Sequence, residues 1–173
     1  RIGAALYDVM SGMMFETAHH RDRTLFQALL EARRQAGGGA VAVEDVTRKP
    51  LSHDRLLTGA LVLGRVLARG TEPGEAVGLM LPNVNAAAVA FFALQGRGRV
   101  PAMLNFSTGS GAVLSACEAA CIRTVITSRR FIEQARLGAL AAALEGRVRL
   151  LYLEDVADSI GPVSKLAGLL ARP

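Results

Sequence analysis

The chain has 173 residues, 51% of them hydrophobic and 5% aromatic, which fits one compact domain and excludes intrinsic disorder. Lysine and arginine number 20 against 15 aspartate and glutamate residues, so the net charge is +5. The excess lies in residues 96–150, with eight basic and three acidic side chains, and could meet nucleic acid, anionic lipid or an acidic protein. Nucleic acid is not expected, because few aromatic residues accompany the arginines to stack on bases.

Residues 1–23 start with Arg1 rather than methionine and contain a group of apolar side chains, namely Met10, Met13, Met14 and Phe15. This pattern predicts a linker helix that packs on another surface and follows a missing upstream domain. No signal peptide is visible in this segment.

A second helix is predicted over residues 24–36, because Thr24 and Gln27 form a capping pair and glycines follow at residues 37–39. Residues 41–46 and a short piece around residues 50–51 then predict a β-hairpin. Ser52 is expected to cap a long third helix over residues 53–69.

The 21 residues from 76 to 96 carry no charge, which raises the question of a transmembrane helix. Pro82, Asn83 and Asn85 interrupt this stretch. It is therefore interpreted as a strand ending near residue 81, a turn at Pro82, and a helix that is capped by Asn83 and runs to residue 95.

From this point strands and helices alternate, which predicts the α/β class: a mostly parallel sheet with helices on both faces, preceded by a helix and a short β-hairpin. Cys117 and Cys121, one helical turn apart, are expected to be small apolar fillers. The predicted strands are residues 77–81, 100–104, 124–127 and 148–153, and the predicted helices are residues 84–95, 108–121 and 130–144. Residues 159–173 are expected to form an amphipathic tail that leads to a missing remainder.

Catalytic and metal-binding motifs are missing from the sequence, which has no phosphate loop, no dinucleotide-binding glycine motif and no nucleophile elbow. The glycine-containing turn over residues 107–111 is interpreted as a helix cap in preference to a phosphate site, because no lysine follows it. His19, His20 and His53 have no ligand partners at suitable spacing, so no metal site is predicted.

Arg129 and Arg130 follow a predicted strand at the end where open α/β sheets bind ligands. Two interpretations stay open for them, an anion contact and a solvated pair of charges. Glu154 and Asp155 follow the next predicted strand, but adjacent side chains point in different directions and do not make an acid/base pair.

Several ordered motifs carry a resemblance to a known family. The stretches are residues 24–30, 43–46, 77–83, 99–105, 127–129 and 151–155. Together they resemble the bifunctional 2-acylglycerophosphoethanolamine acyltransferase/acyl-[acyl-carrier-protein] synthetases and, more loosely, the wider adenylate-forming superfamily of acyl-CoA synthetases. The resemblance covers residues 24–158 and implies the N-terminal part of an AMP-binding domain.

The resemblance implies an enzyme that uses ATP and Mg²⁺ to activate a long-chain fatty acid as an acyl-adenylate. The acyl group then passes to the phosphopantetheine thiol of acyl carrier protein or to CoA, and the parent enzyme reacylates a lysophospholipid. Its expected location is the cytoplasmic side of the bacterial inner membrane, with this fragment itself soluble.

The resemblance also implies that the chemistry lies outside this chain. The phosphate loop of the family lies downstream, and the upstream acyltransferase motif, a histidine followed five residues later by aspartate, is absent. The chain alone is therefore expected to be inactive and to bind no cofactor.

By the same resemblance, Asn105, Phe106 and Ser107 lie where the thiol acceptor approaches, and Arg129 or Arg130 meets the acceptor's phosphate. The alternative is a non-catalytic α/β docking module for an acidic protein or an anionic membrane surface.

Overall fold

The computed structural model describes residues 2–17 and 23–159. Their helices are α1 (Ile2–Thr17), α2 (Leu25–Ala36), α3 (His53–Leu67), α4 (Asn85–Gln95), α5 (Ser110–Ala119), α6 (Arg129–Gln134), α7 (Gly138–Glu145) and α8 (Leu153–Ser159). Their strands are β1 (Val41–Glu44), β2 (Pro50–Ser52), β3 (Ala76–Leu79), β4 (Val100–Met103), β5 (Thr124–Thr127) and β6 (Arg149–Tyr152), and a 3-10 helix spans Phe106–Thr108.

Strands β3 to β6 form a parallel sheet in the order β4-β3-β5-β6. This confirms the predicted α/β class, and the bounds of β5 agree with the prediction at both ends. The short strands β1 and β2 pair antiparallel as the expected hairpin. β3 lies between β4 and β5, so the chain segments that follow these two strands leave the sheet on either side of β3.

Two hydrophobic clusters lie on opposite faces of the sheet, because successive strand residues point to opposite sides. In β5, Ile126 belongs to the first cluster and Val125 to the second. Helices α3 and α4 contribute most of the first cluster, and helices α5, α6 and α7 contribute half of the buried residues of the second. The predicted placement of helices on both faces is therefore confirmed.

Gly78 in β3 allows the second cluster to pack closely against the sheet. A Cβ atom at this position would lie 2.8 Å from Leu104 Cδ1 and 2.9 Å from Val125 Cγ2. Leu104 is buried at the end of β4 and immediately precedes Asn105. Because Gly78 has no side chain, Leu104 can pack against β3, and this packing helps to fix where the segment after β4 leaves the sheet.

Two of the three caps that the sequence predicts for α2, α3 and α4 are observed. Thr24 and Gln27 form the predicted capping box of α2, and Ser52 Oγ accepts a hydrogen bond from Arg55 N at the start of α3. The predicted cap of α4 by Asn83 is wrong, because this helix starts at Asn85 without a side-chain cap from its own N-cap residue. Asp45 of the hairpin supplies the acceptor instead, its Oδ2 lying 3.1 Å from Asn85 N.

Two helix ends differ from the prediction for one shared reason, a residue in the left-handed conformation. Arg136 has φ 54°, and it divides the predicted helix 130–144 into α6 and α7. Cys121 has φ 51°, lies beyond the end of α5 and is exposed, so its predicted role as an apolar filler is wrong, whereas Cys117 is buried as predicted. After each of these residues, the next backbone N–H bonds back to the preceding helix, a Schellman arrangement.

Residues 2–17 of the predicted linker are helical, with Leu6, Tyr7, Met10 and Met13 exposed. Packing of this helix on another surface stays a prediction. Residues 18–22 and the predicted tail beyond Ser159 lie outside the described residues. Within the described ranges, no helix combines the length and the apolar character needed to cross a membrane.

Candidate site at the carboxyl edge of the sheet

The segments that follow strands β4, β5 and β6 contain all the side chains singled out as candidate acceptor contacts. Asn105, Phe106 and Ser107 follow β4, Arg129 and Arg130 follow β5, and Glu154 and Asp155 follow β6. Because these strands are parallel, their carboxyl ends lie at the same edge of the sheet. Open α/β sheets bind their ligands at this edge.

The segment after β4 is a closed turn. Asn105 Oδ1 accepts hydrogen bonds from Ser107 N at 3.1 Å and from Ser107 Oγ at 2.7 Å. Thr108 Oγ1 donates to Asn105 O at 2.8 Å, and Gly109 with φ 87° leads into α5. These contacts make a turn in which Asn105 caps the 3-10 helix, but α5 starts after Gly109 without a side-chain cap, so the predicted helix cap in residues 107–111 is not formed.

Phe106 joins this turn to the arginine-containing helix. Its ring meets that of Phe131 edge to face, with centroids 4.9 Å apart and planes at 76°. Phe131 is buried and directly follows Arg130. The two separate parts of the predicted site are therefore brought together through one aromatic contact of a geometry that is favourable for such pairs.

Arg129 is held by an internal ion pair. Its Nη1 and Nη2 atoms lie 2.5 Å and 2.7 Å from Asp155 Oδ1 and Oδ2, and its Cζ lies 4.1 Å from the centre of the Tyr152 ring. The hydrogen bonds to Asp155 raise the pKa of Arg129, and the same bonds lower the pKa of Asp155. Arginine typically makes both kinds of contact, a bidentate ion pair with a carboxylate and a cation–π stack on an aromatic ring.

Arg130 differs from its neighbour, because its side chain is exposed and makes no hydrogen bond or ion pair with any described residue. The Arg136 guanidinium likewise has no such partner within residues 2–17 and 23–159. At this edge, Arg130 is thus the member of the predicted pair that is available to an anion.

Glu154 fixes the start of α6. Its Oε1 accepts hydrogen bonds from Ser128 Oγ at 2.7 Å and Arg130 N at 3.3 Å, and its Oε2 accepts one from Arg129 N at 3.2 Å. Partial burial acts to raise the pKa of Glu154, but the hydrogen bonds outweigh this effect and the pKa is lowered. The sequence carries no local sign of these contacts, which join residues 24 to 26 positions apart.

These lowered pKa values predict a pH-dependent contribution to stability. A carboxyl whose folded pKa is depressed stabilises the fold above its ordinary pKa of about 4, and this contribution is lost as pH falls through the folded value. The unfolding free energy of the protein should therefore exceed that of a Glu154→Gln/Asp155→Asn variant near neutral pH, and the gap should shrink below about pH 4. Denaturant titrations at several pH values measure this gap, and a gap that is constant from neutral pH to pH 3 contradicts the assignment.

The basic excess of residues 96–150 is divided between the two edges of the sheet. Five arginines lie near the amino ends of the strands: Arg97, Arg99, Arg123, Arg147 and Arg149. Arg123 pairs with Glu75 at 3.3 Å, Arg147 with Glu118 at 2.7 Å, and Arg149 donates to Gly70 O at 2.6 Å. A cavity of about 600 Å³ lies at this edge, lined in part by these ion pairs. The charge count alone therefore overstates the positive charge that is free to meet a partner.

The described residues do not fit a magnesium–nucleotide site. They contain no group of three or more histidine, cysteine, aspartate or glutamate side chains placed to hold a metal ion. The polar side chains of the turn after β4 are bonded to their own backbone and to each other. No step through ATP or Mg²⁺ is therefore assigned to these side chains.

The parallel sheet and the helices on its two faces define an α/β domain, and the sequence shows the family to which it belongs. Residues 30–165 match the model of the family described as AMP-binding enzyme. The chain therefore belongs to the family of AMP-binding enzymes.

Several solved protein structures share the fold of this chain. The chain is similar to VinN in complex with 3-methylaspartate, at 20% identity and a TM-score of 0.68, over 87% of this chain and 40% of that chain. It is similar to the N-terminal domain of FACL13 from Mycobacterium tuberculosis, at 17% identity and a TM-score of 0.67, over 80% and 36% of the two chains. O-succinylbenzoate coenzyme A synthetase from Bacillus subtilis in complex with AMP matches at 12% identity and a TM-score of 0.61, over 87% and 33%. The chain thus spans less than half the length of each of these proteins.

Proposed function

We propose that this chain is the N-terminal part of an ATP-dependent ligase that activates a fatty acid as an acyl-adenylate. The acyl group would then pass to the phosphopantetheine thiol of acyl carrier protein or to CoA. The match of residues 30–165 to the AMP-binding family carries the adenylate-forming part of this proposal, and the fatty acid and its acceptor rest on the sequence resemblance. ATP and Mg²⁺ would be held mainly by residues that follow this chain in the ligase.

The sequence resemblance supports a finer proposal. In it, the ligase is a bifunctional acyltransferase/acyl-[acyl-carrier-protein] synthetase that also reacylates a lysophospholipid. Such an enzyme would work at the cytoplasmic side of a bacterial inner membrane. The motifs of residues 77–83 and 99–105 are the strongest support for this assignment.

Within the ligase, the carboxyl edge of the sheet would form one wall of the acceptor site. Arg130 is exposed and has no partner among the described residues, so it is the group proposed to bind the phosphate of the phosphopantetheine arm. Asn105, Phe106 and Ser107 would line the approach of the thiol, and the Phe106–Phe131 contact would fix their distance from Arg130. Arg129 would support this wall through Asp155.

A second candidate is a non-catalytic docking module for an acidic protein or an anionic membrane surface. The observation that favours it is the pair of exposed cations, Arg130 and Arg136, which lack partners in the described part of the chain. Exposed charges of this kind steer an anionic partner without any catalytic group.

ATP–pyrophosphate exchange with a long-chain fatty acid separates the two candidates. We expect exchange by a longer protein that continues into the following sequence, and neither exchange nor micromolar ATP binding, measured by calorimetry, by the 173-residue chain. The reason is that a nucleotide's phosphates need aimed donors and a cation, which the described residues do not supply.

A longer protein that folds but shows no exchange with fatty acids would favour the docking module. Micromolar ATP binding by the 173-residue chain would instead show that the turn over residues 107–111 binds phosphates.

A further inference from the structure

The adjacent carboxylates Glu154 and Asp155 contact different groups of the adjacent residues Arg129 and Arg130. Asp155 binds the guanidinium of Arg129 through both of its oxygens. Glu154 instead binds the backbone N–H groups of Arg129 and Arg130 and the hydroxyl of Ser128. The guanidinium of Arg130 therefore has no partner within residues 2–17 and 23–159, while its backbone N–H is held by Glu154.

We propose that Glu154 is a positioning residue, which places Arg130 so that its guanidinium meets the phosphate of the acyl acceptor. This inference rests on the proposed function, because it concerns the acceptor site of the ligase. Glu154 itself makes no contact with the acceptor in this proposal.

The anchoring of Glu154 is what allows it to position another residue. Its neighbour Leu153 is only 2% exposed and Val156 only 4%, so α8 is held in the first hydrophobic cluster. From this fixed base the carboxylate accepts three hydrogen bonds from three consecutive residues, Ser128, Arg129 and Arg130. Hydrogen bonds to an ionised acceptor are the strong ones, and three together restrict both the position and the direction of the start of α6.

The same contacts exclude the backbone as the group that binds the acceptor. The N–H groups of Arg129 and Arg130 already donate to Glu154, so they are not available to a second anion. Arg129 is paired with Asp155 through both of its terminal nitrogens. An acceptor phosphate at this end of α6 is therefore left with the side chain of Arg130.

A double-mutant cycle tests the proposal in the ligase that contains this chain. The Michaelis constants for CoA and for holo acyl carrier protein are measured alongside ATP–pyrophosphate exchange in Glu154→Ala, Glu154→Gln, Arg130→Ala and the Glu154→Ala/Arg130→Ala double variant. Asp158→Asn is the matched control, because Asp158 lies on α8, is exposed and has no partner among the described residues.

Glu154→Ala should raise the Michaelis constant of the acceptor about tenfold, as expected when one charge-assisted hydrogen bond to the phosphate is lost. Exchange should stay within about twofold of the parent value, and Glu154→Gln should recover most of the loss because its amide oxygen still accepts hydrogen bonds. In the Arg130→Ala background, Glu154→Ala should have no further effect, because a residue that acts through Arg130 loses its influence when Arg130 is absent.

The outcomes distinguish this inference from the proposed function. If Arg130→Ala raises the Michaelis constant of the acceptor but a folded Glu154 variant does not, the positioning role alone is overturned. If Glu154→Ala lowers transfer and exchange equally, and its effect adds to that of Arg130→Ala, Glu154 has a structural role only. If Arg130→Ala has no effect on either acceptor, both the positioning role and the proposed acceptor contact are wrong. Should Glu154→Ala fail to fold, as seen in its thermal unfolding, Glu154→Asp takes its place, because a carboxylate that is one methylene shorter is drawn back from Ser128, Arg129 and Arg130 and should raise the Michaelis constant of the acceptor in the same way.

Discussion

Replacing Arg130 with alanine should slow acyl transfer to the acceptor about tenfold in the intact ligase, while ATP–pyrophosphate exchange stays nearly unchanged. A charge-assisted hydrogen bond to a phosphate contributes about 1.5–3 kcal/mol, and ~1.4 kcal/mol corresponds to a factor of ten. Arg130 is the expected contact because it is exposed and lacks a partner among the described residues. Single-turnover transfer from a preformed acyl-adenylate measures the effect directly.

Arg129→Ala is the matched control for this experiment, since it removes the same charge one position earlier. Arg129 is already paired with Asp155 and stacked on Tyr152, so its loss should affect transfer much less than the loss of Arg130. Transfer by the parent protein should also weaken as salt rises, because charges more than ~10 Å apart are screened at 0.1 M ionic strength. Equal effects of the two variants would mean that the acceptor is attracted by the general charge of this edge and not by one side chain.

Replacing Arg99 with alanine should destabilise the fold by about 3 kcal/mol, because each buried acceptor that loses its donor costs ~1–3 kcal/mol. Arg99 is 7% exposed, and its guanidinium donates to Thr71 Oγ1 at 3.0 Å, to Thr71 O, and to Arg97 O at 2.5 Å. A fourth contact reaches Ala68 O at 3.4 Å. The side chain thus joins the end of α3 to the start of β4, and its removal should lower the unfolding temperature.

Arg65→Ala provides the control for Arg99, since Arg65 is an exposed arginine in the last turn of α3. Its favourable interaction with the helix dipole is expected to contribute only about 0.3–1 kcal/mol. Urea unfolding of both variants gives the two free energies. A loss for Arg99→Ala no greater than that for Arg65→Ala would show that water replaces the guanidinium at the three residues it contacts.

The sequence predicted those elements whose cause is local. The alternation of apolar strands and capped helices identified all four strands of the parallel sheet, and the pair Thr24 and Gln27 identified the start of α2. Two helix ends could not be predicted, because they depend on Cys121 and Arg136 adopting a conformation that residues other than glycine rarely adopt. The start of α4 depends on Asp45, which is forty positions away and reaches it only through the fold of the hairpin.

The candidate site shows the same division between local and long-range causes. The position of Arg129 and Arg130 after a strand was sufficient to place them at the carboxyl edge of the sheet. Which of the two is free could not be predicted, because it depends on Asp155 and Glu154, about 25 residues later in the chain. The charge count also could not show that Arg123, Arg147 and Arg149 face internal partners at the opposite edge.

The division of the core by the sheet also has a thermodynamic consequence. Buried side chains of the first cluster, such as Leu63 and Val89, are separated from those of the second, such as Val113 and Leu140, by a layer of hydrogen-bonded backbone. Substitutions that share no partner contribute nearly additive free energies. Core substitutions beneath α3 and α4 are therefore expected to add their free energies to those made beneath α5 and α7, whereas changes beneath α8 also reach the start of α6 through Glu154.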